Sequence, residues 1–155
     1  MKQSLYMETT IPSYLTSRPS RDLVIAGHQQ VTKEWWEKRR GAFEIYISQL
    51  VIDEASAGDP DAARERVLIV RDFALLDILP EVGHLASAIL ASGTLPRKAA
   101  TDAAHIAIAA VRGIDFLLTW NCVHIANAVV AKNIAKICRR YDWESPMIST
   151  PEELF

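Results

Sequence analysis

Glu8, Glu54, Asp102 and Asn121 stand just past the ends of apolar, strand-like runs, a layout of oxygen side chains that suits a hard divalent cation. Glu8 follows Ser4-Leu5-Tyr6-Met7; Glu54 follows Ile45-Tyr46-Ile47-Ser48 and the short run Leu50-Val51-Ile52; Asn121 follows Phe116-Leu117-Leu118-Thr119-Trp120. In an open α/β sheet, ligands bind in the crevice beyond the carboxyl ends of parallel strands. Asp102 opens the segment Ala103 to Val111, which is apolar on nearly every helical face and is therefore expected in the core. A buried carboxylate left alone costs several kcal/mol, so a positive group is expected beside Asp102. Mg²⁺ or Mn²⁺ is such a group; the chemistry it supports is the activation of water and the neutralisation of charge on a phosphate.

Strands and helices alternate along the chain. Leu5-Tyr6-Met7 reads as a first strand, turned by Glu8-Thr9-Thr10-Ile11-Pro12 into a short helix. Asp22 to Arg39 has apolar Leu23, Val24, Gly27, Val31 and Trp35 at helical spacing. Phe43 to Ser48 is a strand, and Gln49 to Ala57 a helix stopped by Gly58. Asp59-Pro60 starts a helix to about Arg71, Phe73 to Leu79 is a third strand, and helices Pro80 to Ser92 and Pro96 to Arg112 stop at Gly93 and Gly113. Ile114 to Thr119 is a strand, Asn127 to Tyr141 a helix, and Pro146 to Ser149 the last strand. This order predicts an α/β fold with a central, mostly parallel sheet and helices on both faces.

Four of these segments carry a family resemblance. Glu8-Thr9-Thr10, the lone Glu54, Thr101-Asp102-Ala103-Ala104-His105-Ile106-Ala107 and Leu117-Leu118-Thr119-Trp120-Asn121 occur in the order of a PIN-domain nuclease, and the whole chain resembles a toxin of the VapC type. The resemblance implies a PIN-like three-layer sandwich and a Mg²⁺- or Mn²⁺-dependent endoribonuclease acting on RNA. Glu8, Glu54, Asp102 and Asn121 would then be the catalytic metal ligands, with Thr9 and Thr119 as supporting hydroxyls. It further implies a cognate antitoxin protein and a homodimer. Two positions depart from the family pattern. Glu8 stands where Asp is usual, and Asn121 donates no charge, which leaves three carboxylates and weakens any second metal. Those departures keep open a weakened PIN-like module that binds RNA or protein without cutting. A phosphatase-like hydrolase would want an Asp nucleophile at the end of the first strand, where Glu8 stands.

Size and composition bound the rest. A chain of 155 residues, 50% of them hydrophobic, fills one core, so residues 1–155 read as a single domain. The net charge of -2 hides an uneven spread: residues 1–40 hold seven Lys/Arg against four acids, 97–140 seven against two, and 41–96 three against nine. Two basic flanks around an acidic middle suit an enzyme of phosphate backbones, although solvated helix faces give the same pattern. Cys122 and Cys138 form no metal or disulfide spacing. With no signal pattern and no membrane-length apolar run, a cytoplasmic protein is expected. Cys122 reads as a packed thiol and His105 as a hydrogen-bonded core residue; His124, three residues after Asn121, falls near the expected mouth, where contact with an RNA phosphate or base is the lesser of its readings. Of the adjacent Trp35 and Trp36, one must be core and the other turned outward, offering a partner surface.

Overall fold

The computed structural model describes every residue from Met1 to Phe155. Five strands form one all-parallel sheet, β1 (Gln3–Met7), β2 (Phe43–Ile47), β3 (Ala74–Leu75), β4 (Phe116–Leu118) and β5 (Met147–Ser149), in the order β3-β2-β1-β4-β5. The central strand is the most enclosed: Leu5, Tyr6 and Met7 are fully buried, as a strand covered on both faces must be. Between β1 and β2 run α1 (Thr10–Thr16) and α2 (Leu23–Lys38), and between β2 and β3 run α3 (Gln49–Ala55) and α4 (Pro60–Val70). Next come α5 (Pro80–Ala91) and α6 (Ala100–Val111) before β4, and α7 (Ala128–Arg140) before β5. Right-handed crossovers put α1 to α4 on one face and, because the chain then reverses direction across the sheet, α5 to α7 on the other. The result is a three-layer α/β sandwich around one cluster of 31 buried apolar residues.

Local chemistry sets the boundaries. Asp22 caps α2 by accepting the Val24 and Ile25 N–H groups, Asp59 caps α4 with Pro60 in its first turn, and Asn127 caps α7. Gly93 and Gly113 hold φ of 76° and 64°, the left-handed geometry that lets a helix end there. The third strand is shorter than the expected Phe73 to Leu79, because β2 turns into α3 after Ile47. Ala74 and Leu75 pair with Tyr46 and Ile47, and the Leu76 N–H makes the last bond, to Ile47 O at 2.8 Å. Ahead of Asp102 the chain makes a 3-10 turn over Arg97–Ala99, so α6 begins at Ala100 rather than Pro96. Within α6, His105 through Val111 are all buried, as the all-round apolar pattern requires.

Two expectations about side chains need correction, on the buried face of α2 and on Cys122. The first turns of α2 leave Leu23 and Val24 exposed, and the face it buries carries Gln29, Thr32 and Trp35. Trp35 is indeed core, but Trp36 is half-buried, with the Arg40 guanidinium 4.5 Å from its ring centroid and the Phe73 ring edge-on at 5.9 Å. Trp36 is thus partly outward, as expected, with Arg40 and Phe73 against its ring. Cys122 is exposed in the loop after β4 instead of packed, and Cys138 is the buried thiol. No helix is long and apolar enough to cross a membrane.

Candidate functional site

From β1 the chain winds to β2 and β3 on one side; β4 and β5 add on the other, so the topological switch point lies between β1 and β4. Open parallel sheets bind ligands beyond the strand ends at that point. Glu8 is the first residue past β1 there, its backbone N–H donating to Leu118 O at 3.1 Å, and Thr119 is the first past β4. Only 4% of Glu8 is exposed. Its Oε2 accepts from the Thr10 N–H at 3.0 Å, Thr10 Oγ1 at 2.5 Å and Thr119 Oγ1 at 2.8 Å. Each hydroxyl is fixed in turn by a backbone donor: Trp120 N–H reaches Thr10 Oγ1 at 2.8 Å and Asn121 N–H reaches Thr119 Oγ1 at 2.9 Å. Burial pushes the Glu8 carboxyl above its ordinary pKa, with the nearby His105 charge and the hydroxyl bonds countering only in part.

Glu54 comes from the last turn of α3, which starts at the end of β2 and so points the side chain back over the strand ends. Its Oε1 accepts from Thr9 Oγ1 at 2.7 Å and contacts His105 Nε2 at 2.5 Å. Burial raises its pKa, but the His105 hydrogen bond and charge, helped by Thr9, outweigh burial and hold it below the ordinary value. His105 lies on α6 with no exposure at all, and its Nδ1 meets Tyr6 Oη at 2.7 Å; that phenol is 2.8 Å from Ser48 Oγ. One proton arrangement satisfies the whole line: Nε2–H donates to Glu54, Nδ1 accepts from the phenol, and the phenol accepts from Ser48. If the ring takes a second proton, the phenol reverses and donates to Ser48, so the chain closes in either state. Burial drives the Tyr6 phenol far above its ordinary range, and it stays protonated. No buried side-chain nitrogen or oxygen lacks a partner anywhere in the molecule.

Asp102 and Asn121 meet through His124. Asp102 Oδ2 lies 2.9 Å from His124 Nδ1, and the His124 N–H donates to Asn121 Oδ1 at 3.0 Å. The residue beside Asp102 is therefore an imidazole from the β4–α7 loop, able to supply the expected positive charge when protonated. Asn121 also closes that loop, its carbonyl accepting from Ile125 and Ala126 N–H at 3.1 and 2.7 Å. Thr119 links this loop to Glu8, and Thr9 sits on Glu54, so all six residues singled out from sequence belong to two adjoining hydrogen-bond networks.

The geometry sorts them further. Donor atoms of Glu8, Glu54 and His105 lie within 4.8 Å of one another, and Asp102 stands outside that group. Both His105 nitrogens are already engaged, which makes His105 the orienter of Glu54 more than a donor to a cation. Each carboxylate has one oxygen held by the protein and one that accepts no protein hydrogen bond: Glu8 Oε1, Glu54 Oε2 and Asp102 Oδ1. Since no fully buried oxygen is without a partner, the free oxygen of Glu8 opens to solvent. Hard oxygen donors, fixed from behind and open in front, fit Mg²⁺ or Mn²⁺ by donor type. Tyr6, Ser48 and Thr10 have no role in the sequence reading. Only Thr10, two residues past Glu8, carried a signal, because Tyr6 and Ser48 look like ordinary strand residues. No known family model matches the sequence, and no characterised protein matches it.

Proposed function

We propose that the protein is a divalent-metal-dependent endoribonuclease that hydrolyses RNA phosphodiester bonds, and that it is the toxin of a toxin-antitoxin pair. The observation that carries the catalytic part is the convergence of Glu8 and Glu54 at the β1/β4 switch point, each with one oxygen tied back and one free. Thr10 and Thr119 hold the Glu8 carboxylate in place, and His105, braced by Tyr6, aims Glu54. His124 aims Asp102 from the other side, where it serves as a further oxygen ligand or orients water. A hard divalent cation at such oxygens supplies Lewis acidity toward phosphate and a lowered pKa for water. Mg²⁺ or Mn²⁺ is the cofactor of this reading, RNA its substrate, and the cytoplasm, an antitoxin protein and a second copy of the chain its setting. The toxin assignment rests on the motif resemblance alone.

The test is cleavage of mixed single-stranded RNA with Mn²⁺ or Mg²⁺ against chelator, using Glu54→Gln and Asp102→Asn as controls. Metal-dependent cutting lost in both variants is expected. RNA binding by the wild type with no cutting under any metal would replace this reading with a non-catalytic RNA-binding module.

A further inference from the structure

Helix α7 leaves the loop that holds Asn121 and His124 and runs away from the site toward the opposite end of the sheet. Its residues include four cations, Lys132, Lys136, Arg139 and Arg140, and no acid, in a chain whose net charge is -2. At 100° per residue these four fall within an arc of about 100°, spread over about 12 Å of helix. All four are exposed, whereas Ile134, Ile137 and Cys138 on the other side of the helix are buried. Outside α7 three cations pair with acids close in sequence, Lys38 with Glu34, Arg64 with Asp61 and Arg71 with Asp72, so what sets α7 apart is four cations gathered on one exposed face with no acid among its residues. None of the α7 cations has an ion pair; the acids nearest in sequence, Asp142 and Glu144, lie past the end of the helix, where they share an open cavity with Arg139. Arg139 and Arg140 complement the negative end of the helix dipole, but Lys132 and Lys136 lie further back and gain little from it.

A solvated helix needs no such segregation of one charge. We infer that the basic stripe of α7 is a track for the phosphates of a single RNA strand leading from the catalytic crevice, an inference that rests on the nuclease reading for its substrate. A polyanion gains from each lysine by releasing counterions, and the gain requires no base recognition. An anionic membrane is the weaker fit, because an interfacial helix inserts its apolar face, and that of α7 is occupied by the protein core.

The experiment measures binding of a fluorescein-labelled single-stranded RNA by anisotropy in EDTA, across a series of KCl concentrations, so that cleavage plays no part. Lys132→Gln/Lys136→Gln is compared with Arg64→Gln/Arg71→Gln, which removes the same charge from α4 and its C-cap. The α7 pair is expected to flatten the slope of log affinity against log salt by about 1.4, roughly 0.7 per lost phosphate contact, while the α4 pair leaves it unchanged. Equal slopes in all three proteins, equal flattening by both pairs, or a wild type that fails to bind RNA at low salt overturns the track. So does an α7 pair that loses only phosphatidylserine vesicles. A wild type that binds through α7 but never cuts would sink the nuclease reading and leave the track standing.

Discussion

Replacing Tyr6 by Phe removes one oxygen from the middle of the Ser48–Tyr6–His105–Glu54 line and leaves the packing of the ring intact. Tyr6, Ser48 and His105 are all fully buried, and the phenol is the only side-chain partner of both Ser48 Oγ and His105 Nδ1. The variant therefore strands two buried polar groups. Each orphan costs about 1–3 kcal/mol, and the hole left by a hydroxyl oxygen is too small to admit a water that would replace it. Partial reorientation of Ser48 offsets some of this, so a loss of about 2–4 kcal/mol is expected, read as the shift in urea midpoint multiplied by an unchanged slope. For a domain of this size that corresponds to a fall of about 4–16 °C in melting temperature. The companion variant Tyr6→Phe/Ser48→Ala removes one orphan and should be more stable than Tyr6→Phe alone, a non-additivity that a pair without direct contact would not give. A destabilisation of Tyr6→Phe under about 0.5 kcal/mol, or strictly additive behaviour of the pair, would refute the buried line as a coupled unit.

Protonation gives a second expectation. The folded pKa of Glu8 lies above its unfolded value, so its contribution to stability is complete below the unfolded pKa and is lost as pH rises through the folded one. In chelating buffer Glu8→Gln should gain on the wild type as pH increases from about 4 to about 8, and parallel melting curves across that range would contradict the assignment. Glu54 has the opposite sign: its contribution is present above the unfolded pKa and lost as pH falls through the lowered folded value, so Glu54→Gln should cost most near neutrality. Third, Mn²⁺ should raise the wild-type melting temperature by binding only the folded state, and an undiminished rise in Glu54→Gln would strike that residue from the ligand set. Finally, if the chain dimerises through α2, the most exposed apolar surface on it is Leu23 and Val24 at its start, ahead of the half-buried Trp36. Leu23→Ser/Val24→Ser should sediment as a monomer where the wild type does not, and a wild type that is monomeric at micromolar concentration removes this interface altogether.

How far the sequence could be read depended on the range of the forces involved. Helix ends at Gly93 and Gly113 and starts at Asp22, Asp59 and Asn127 are decided by one or two neighbouring residues, and they were visible at once. Strand alternation with helices was enough to give a parallel sheet and its two helical layers. The exposure of Leu23 and Val24 was not visible, because helical spacing says which residues share a face, not how far the helix projects past the body that covers it.

The site divides along the same line. Glu8, Thr9 and Thr119 were legible as oxygen-bearing residues at strand ends, since strand direction alone brings such positions to one edge, whereas Glu54 reaches it from the last turn of α3. His105 was read correctly as a hydrogen-bonded core residue, but its partner is the catalytic candidate Glu54, 51 positions earlier, and a pairing at that separation leaves no mark on local sequence. A positive group beside Asp102 was expected from the buried helix it opens, but the Asp102 side chain keeps 19% exposure in the first turn of α6; the loop from β4 brings His124 to 2.9 Å from Oδ2 and leaves Oδ1 free. One structural partner and one open oxygen are compatible with ligand and orienter alike. The two roles separate in a single comparison: His124→Gln should preserve the Mn²⁺-induced rise in melting temperature if Glu8 and Glu54 hold the ion without Asp102, and should lower it together with Asp102→Asn if the imidazole is what aims Asp102 at the cation.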